Sequence, residues 1–381
     1  MRSMGTDRRQ FLVWSAMMAW SSSGFSAPRA FSISADAADK RSDRALYVAA
    51  RRANGRYETV VLDAQGTIQH VIPMPARGHS FALDAQRGRA VVFGRQPGFF
   101  AVAFSTDGTV EPITLDVAES RHFFGHGVYT PDGQWMLATE NDFEAGRGVL
   151  GVYDASAGGG YRRIGEFDSG GIGPHEVVLL PDGKTVCVAN GGILTHPDYG
   201  KLELNLDSMQ PSLAYIDVST GRLIERVALP AALHHLSIRH LALAADGSVW
   251  FGCQHMGPDS ERPPLVGRHR RGAEPELFVG SDETLRACRN YIGSVAADST
   301  GTVIATSSPV GNQVLYWDAV SGDLLGTTPL QDGCGVAPYA ATQFLLNSGM
   351  GELVHSGPTA PTWSILPASA ELAWDNHFRR L

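Results

Sequence analysis

The chain has 381 residues, 43% hydrophobic and 18% charged, with 43 Gly, 21 Pro and a formal net charge of −8. These proportions fit a folded protein rich in tight turns, and the acidic balance disfavours nucleic acid as a partner. No uninterrupted apolar stretch of about 20 residues occurs, which excludes a membrane span in the mature chain.

At the N-terminus, Asp7-Arg8-Arg9-Gln10-Phe11-Leu12 is followed by an apolar run from Phe11 to Trp20 and a small-residue tract ending in Ala35-Asp36-Ala37. This looks like a twin-arginine (Tat) export signal over residues 1–37 with an A-x-A cleavage site after Ala37, and implies a periplasmic protein. It departs from the usual signal at Asp7, where Ser or Thr is common, and at Val13, where Lys is common. Residues 1–37 contain four arginines and two aspartates, so the mature chain carries 27 basic against 37 acidic residues, a net −10. Tat passengers are exported folded, often with a cofactor inserted, which fits a metal protein. Cys187, Cys253, Cys288 and Cys334 form no CxxC pair, so zinc-ribbon and thioredoxin-like motifs are absent. An oxidising compartment permits disulfides, and Cys288 and Cys334 stand just before neighbouring repeat units where they could meet; spacing alone does not choose among the pairings.

From residue 38 onward a repeat governs the chain. From Gly125 the order is strand (HGVYT), Pro-Asp-Gly turn, strand (QWMLATE), loop, strand (GVLGVYDA), turn and strand (YRRIGEF). The pattern returns from Gly173, Arg239 and Tyr291, each time as four short strands rich in Val, Ile, Leu and aromatics with Gly-containing hairpin turns. The units recur every 45 to 65 residues or so, near or above the period of propeller blades. Six first strands are legible: GHSFAL, GHGVYT, PHEVVLL, RHLALA, YIGSVAA and CGVAPYA. The start of the mature chain supplies three strands (ALYVAAR, YETVVLDA, IQHVIPM) and the C-terminus one (AWDNHF). The expected fold is therefore all-β: a single seven-bladed β-propeller over residues 38–381, its first blade closed by the C-terminal strand, which removes exposed sheet edges.

In such a ring the first strands all run the same way along the channel, so their first residues share one mouth. His79, His126, His175, His240 and His377 are then brought together from five blades, with Glu140, Asn141, Glu176, Asn190, His196, Cys253, His255, Asn347 and Met350 on the same face. Converging imidazoles suit Zn, Cu, Fe or Ni, and the carboxylates and thiol widen the ligand choice. The alternative is structural. A Gly-His pair before the inner strand and an aromatic-Asp pair on the third (Tyr153-Asp154, Trp317-Asp318, with Ile216-Asp217 a variant) are signatures of WD-type blades, whose histidine is a buried, satisfied strut.

Other chemistry is thin. The chain lacks a G-x-S-x-G elbow, an H-E-x-x-H helix, a C-x-x-C-H haem attachment and an EF-hand loop. Arg268-His269-Arg270-Arg271 reads as a solvated strand edge. The insertion from Asn190 to Ser212 is too long for a hairpin loop, and reads either as an ordered flap on the histidine face or as an outer decoration covering a blade.

The stretches GHGVYTPDG, ATENDFEAGRGVLGVYDA, GGIGPHEVVLLPDG and VANGGILTHPDYGK, with LSIRHLAL, SSPVGNQVLYWD, DGCGVAP and AWDNH, resemble an uncharacterised family of Tat-exported bacterial β-propellers, domain of unknown function 1513. The likeness covers essentially the whole mature chain. It implies a neighbourhood of imelysin-like and di-haem oxidoreductase-like proteins, hence an accessory role in iron acquisition, and it implies no catalytic residues. Three functions stay open: a periplasmic binding or accessory propeller holding iron, copper or a partner protein; a metal-dependent oxidoreductase using the same face; and a metal-free interaction scaffold. Fold alone does not choose among them.

Overall fold

A computed structural model describes residues 45–200 and 202–381; the export signal expected over residues 1–37 lies outside the described residues. The described chain forms seven four-stranded antiparallel sheets arranged as a ring, the expected seven-bladed propeller. The inner strand of the first blade is the C-terminal β28 (Leu372–Arg380), hydrogen-bonded to β1 (Leu46–Ala53). The other inner strands are β4 (Gly78–Asp84), β8 (Arg121–Tyr129), β12 (Pro174–Leu179), β16 (Leu236–Leu243), β20 (Ser294–Ala297) and β24 (Gly333–Ala340). Each touches the next around the channel, and β24 touches β28, which in turn touches β4.

The repeated Asp-Gly turns explain the regular spacing. In the turns between first and second strands, the carboxylates of Asp132, Asp182, Asp246 and Asp298 accept backbone amides of Gln134, Lys184, Ser248 and Thr302. Asp154, Asp217 and Asp318, the aspartates of the aromatic-Asp pairs, accept amides in the same way at the turn into the fourth strand. An Asx turn fixes each hairpin locally, so one short signature can be reused around the ring.

Apolar clusters fill every gap between blades. Ring closure rests on one of them: Tyr47 and Ala49 of the first blade, with Trp374 and Phe378 of β28, pack on Cys334, Ala337, Leu345 and Leu353 of the seventh. The Tyr47 and Phe378 rings lie 5.2 Å apart.

All four cysteines are free and buried, so the expected meeting of Cys288 and Cys334 does not occur. Cys288 ends a short helix, α1 (Asp282–Cys288), which starts with Ser281 accepting the Thr284 amide and was not legible as a periodic pattern. Cys334 instead directs its thiol at Asn347 Oδ1, 3.3 Å away. No helix among the described residues is long and apolar enough to cross a membrane.

Candidate metal centre

Five imidazoles meet in the channel. His79, His126, His175, His240 and His377 project from β4, β8, β12, β16 and β28, with neighbouring ring centroids 4.6 to 6.0 Å apart. Regular pleating would not aim them all inward. Ladder pairing is interrupted between Gly78 and Phe81, between Phe123 and Gly127, between Pro174 and Glu176, and between Ile238 and His240. On β28 the residues from Asp375 to His377 fall in the same kind of gap. A bulge leaves residues unpaired and turns the strand, which is how a side chain is re-aimed. Gly125 makes the approach possible: it has φ +106°, and a Cβ there would lie 2.5 Å from Cδ2 of His79. The Gly ahead of His126 is thus required by the neighbouring blade's imidazole.

Four of the rings are buried and His175 is half-buried, and none is fully satisfied. Nδ1 of His79 and His175, Nε2 of His126 and His377, and both nitrogens of His240 have no hydrogen-bond partner. A buried strut histidine normally uses both nitrogens. In each of two triads, His79–His126–His175 and His126–His240–His377, one nitrogen per ring lies within 4.8 Å of the others. Nitrogens that share one tetrahedral ion at metal–nitrogen distances of 2.0–2.1 Å sit about 3.4 Å apart, so the rings of either triad would have to draw together to hold an ion.

Carboxylates stand behind the rings. Glu176 Oε1 is 3.6 Å from Nδ1 of His126 and Oε2 is 3.4 Å from Nδ1 of His240. The same carboxylate accepts from the Leu241 amide at 3.1 Å and pairs with Arg379. Asp375 Oδ1 lies 3.5 Å from Nδ1 of His79, and Asp375 pairs with Arg77. At 3.4 to 3.6 Å these are electrostatic contacts, not hydrogen bonds; drawn in to hydrogen-bond distance, a carboxylate at Nδ1 would orient the ring and leave Nε2 to ligate. Burial works against ionisation of Glu176, but Arg379 and the two imidazoles hold its carboxyl well below the usual range. Asp375 is likewise opposed by burial yet brought down to about 2 by His79, Arg77 and Arg95. Burial, opposed by Glu176, lowers His126 to about 3 and His240 to about 4, and it lowers His79, His175 and His377 too. The rings are therefore neutral near pH 7, the form in which imidazole binds a metal.

Above the cluster opens a cavity of about 330 Å³ whose lining includes His79, His175, His240, Arg95, Arg239 and Tyr291. The 190–212 insertion covers it, contributing Gly191, Ile193, Thr195, Gly200 and Glu203, so the segment is a flap on the histidine face. Asn205 braces the flap, accepting the Leu194 amide and donating to Gly192 O.

Of the other residues expected on this face, Glu176 joins the cluster and the rest do different work. Glu140 is consumed inside its blade by the Tyr153 hydroxyl (2.6 Å) and Arg163 (2.9 Å). Asn141 donates to Thr195 O and contacts Nε2 of His122, tying the flap to a separate aromatic patch. Asn190 is bonded to Ser169. His196 caps the turn Pro197–Tyr199 by accepting the Asp198 amide. Cys253 is enclosed in an apolar cluster, where burial pushes its thiol up. His255 faces Glu261 at 3.1 Å, and Asn347 accepts from the Gly335 amide. Met350 is exposed. Glu140, Asn141, Asn190, Cys253, His255 and Asn347 lie in the second halves of second strands, whereas His196 and Met350 lie in the loops beyond them. Asp375, Arg379, Arg95 and Arg239 were not anticipated, whereas Tyr291 stands where its blade lacks the histidine of the others. Asp375 and Arg379 stand two residues either side of His377, and that proximity in sequence was the available signal.

The fold is similar to that of Kuenenia stuttgartiensis hydrazine synthase (14% identity, TM-score 0.56, covering 83% of this chain and 90% of that one). It is equally similar to the β-propeller domain of Cps50 (Swd1) from Myceliophteria thermophila (11% identity, TM-score 0.56, covering 81% and 91%). At these identities the likeness concerns the propeller alone. Comparison with curated proteins finds no match. The family described as protein of unknown function (DUF1513) matches residues 72–381, most of the chain, and the protein belongs to that family.

Proposed function

We propose that this protein is a binding propeller that holds a transition-metal ion, iron or copper in the first instance, among the five channel histidines. The observation that carries the reading is the set of buried, partnerless imidazole nitrogens facing one another with Glu176 and Asp375 behind them. Leaving several buried polar atoms unpaired costs about 1–3 kcal/mol each, a cost that an ion would remove. The twin-arginine-like N-terminus supports a periplasmic setting. The family likeness supports an accessory role beside imelysin-like and di-haem oxidoreductase-like proteins of iron uptake.

Elemental analysis of the mature protein, purified without a histidine tag, tests the reading. About one iron or copper per chain, lost in the His126→Ala/His240→Ala double variant, is the expected result. A chain that carries no metal and takes up neither Fe, Cu nor Zn would return the cluster to a structural role. One observation favours a second reading, a metal-dependent oxidoreductase: His79, His175 and His240 also line the open cavity, so an ion there would be reachable by a small molecule. Oxygen consumption or dye reduction by the loaded protein separates the two.

A further inference from the structure

The cavity above the histidines is lined by more positive than negative charge, in a chain that is acidic overall. Arg239 and Arg95 line it, and Glu203 is the carboxylate among its described lining residues. Arg95 is partly engaged, its guanidinium 3.6 Å from Asp375. Arg239 is not. Its hydrogen-bond partners are Ser237 Oγ at 3.4 Å and Met256 Sδ at 3.7 Å, and no carboxylate among the described residues forms an ion pair with it. A partly buried guanidinium with such weak partners keeps most of its five donors unused. Burial lowers its basicity, with Tyr291 and Glu203 acting in the opposite sense. A third donor stands beside it: Tyr291 Oη accepts from Nδ2 of Asn376 at 2.9 Å, which leaves the phenolic proton to point elsewhere, and both side chains line the cavity.

We infer that the cavity binds a small oxyanion, a carboxylate or phosphate, held by Arg239 and the Tyr291 hydroxyl directly above the imidazoles. A planar guanidinium takes two oxygens of such a group at once, and a buried, flap-covered site strengthens the contact relative to water. The guanidinium contact stands by itself; only the anion's second contact, to an ion on His79, His175 or His240, rests on the metal reading. With a metal present, the oxyanion would occupy the coordination position open to the cavity.

Calorimetric titration of the mature protein at low ionic strength with inorganic phosphate, and separately with succinate, tests the inference on metal-free and Co(II)-loaded samples. Saturable binding of either probe is expected, weakened about 10-fold or more in Arg239→Gln and to a smaller degree in Tyr291→Phe, with Co(II) stoichiometry unchanged. Which probe binds identifies the oxyanion class. A shift of the Co(II) visible spectrum on adding the probe places the anion on the metal. Wild-type protein that binds neither probe in either form overturns the inference, and so does a correctly folded Arg239→Gln variant that binds as well as wild type. Anion binding retained by a protein that takes up neither Co(II) nor Fe, Cu or Zn supports the anion site and overturns only the metal reading.

Discussion

At the residue scale, Glu176 is the most informative side chain. It serves two imidazoles at once and is itself held by Arg379 and the Leu241 amide. Glu176→Gln keeps the shape but removes the charge that favours an Nδ1 proton on each ring, so metal affinity should fall about 10- to 100-fold. The check is a competition titration against a chromophoric chelator, with circular dichroism showing that the fold persists. His126→Ala should lower affinity at least about 10-fold by the same assay. An unchanged affinity with a lowered melting temperature would mark His126 as a strut. Gly125→Ala forces a Cβ against the His79 ring at a positive φ, and is expected to cost about 1–3 kcal/mol in urea unfolding while also weakening metal binding.

At the element scale, five of the seven inner strands combine a bulged stretch that presents an imidazole with a regular stretch that packs the blade. β28 does a third thing, since its pairing with β1 joins the two ends of the described propeller. Phe378 is buried against Tyr47 at the closing interface, so Phe378→Ala should destabilise the protein by about 3–5 kcal/mol, measured by urea denaturation. Because His377 precedes Phe378, metal loading should weaken in the same variant even though no ligand is removed. The flap is the element whose position the spacing left open. Length alone cannot say whether an insertion folds inward or outward; Asn205, Asn141 and Gln96, which bonds Thr195, hold this one over the cavity.

At the scale of the whole molecule, burial keeps histidines uncharged, and this sets how stability depends on pH. His355, buried beside Trp363, is lowered to about 4 by burial, as His240 is, and His126 to about 3. The unfolded chain protonates these rings near pH 6.5 whereas the folded one does not, so the unfolded state binds more protons below that pH. Stability is therefore complete above about pH 6.5 and declines as pH falls toward 4, by on the order of 1–2 kcal/mol per ring by pH 5. Urea midpoints at pH 7.5 and pH 5 check the sign. Metal should add about 2.7 kcal/mol at a hundredfold excess over its dissociation constant, and that increment should also shrink with acid. The ring of seven blades, its closure by the C-terminal strand and the convergence of five histidines were legible in the sequence by itself. They depend on local signals: alternating apolar strands, Asp-Gly turns, and a histidine at one place in five of the seven repeats. The tertiary structure alone decided which polar residues join those histidines. Glu140, Asn190 and Asn347 sit at the expected strand ends but are bonded within or beside their blades, whereas Asp375, Arg379 and Arg239 reach the channel. A one-residue bulge turns a side chain from one face to the other, and bulges are set by packing between blades, which no single repeat records.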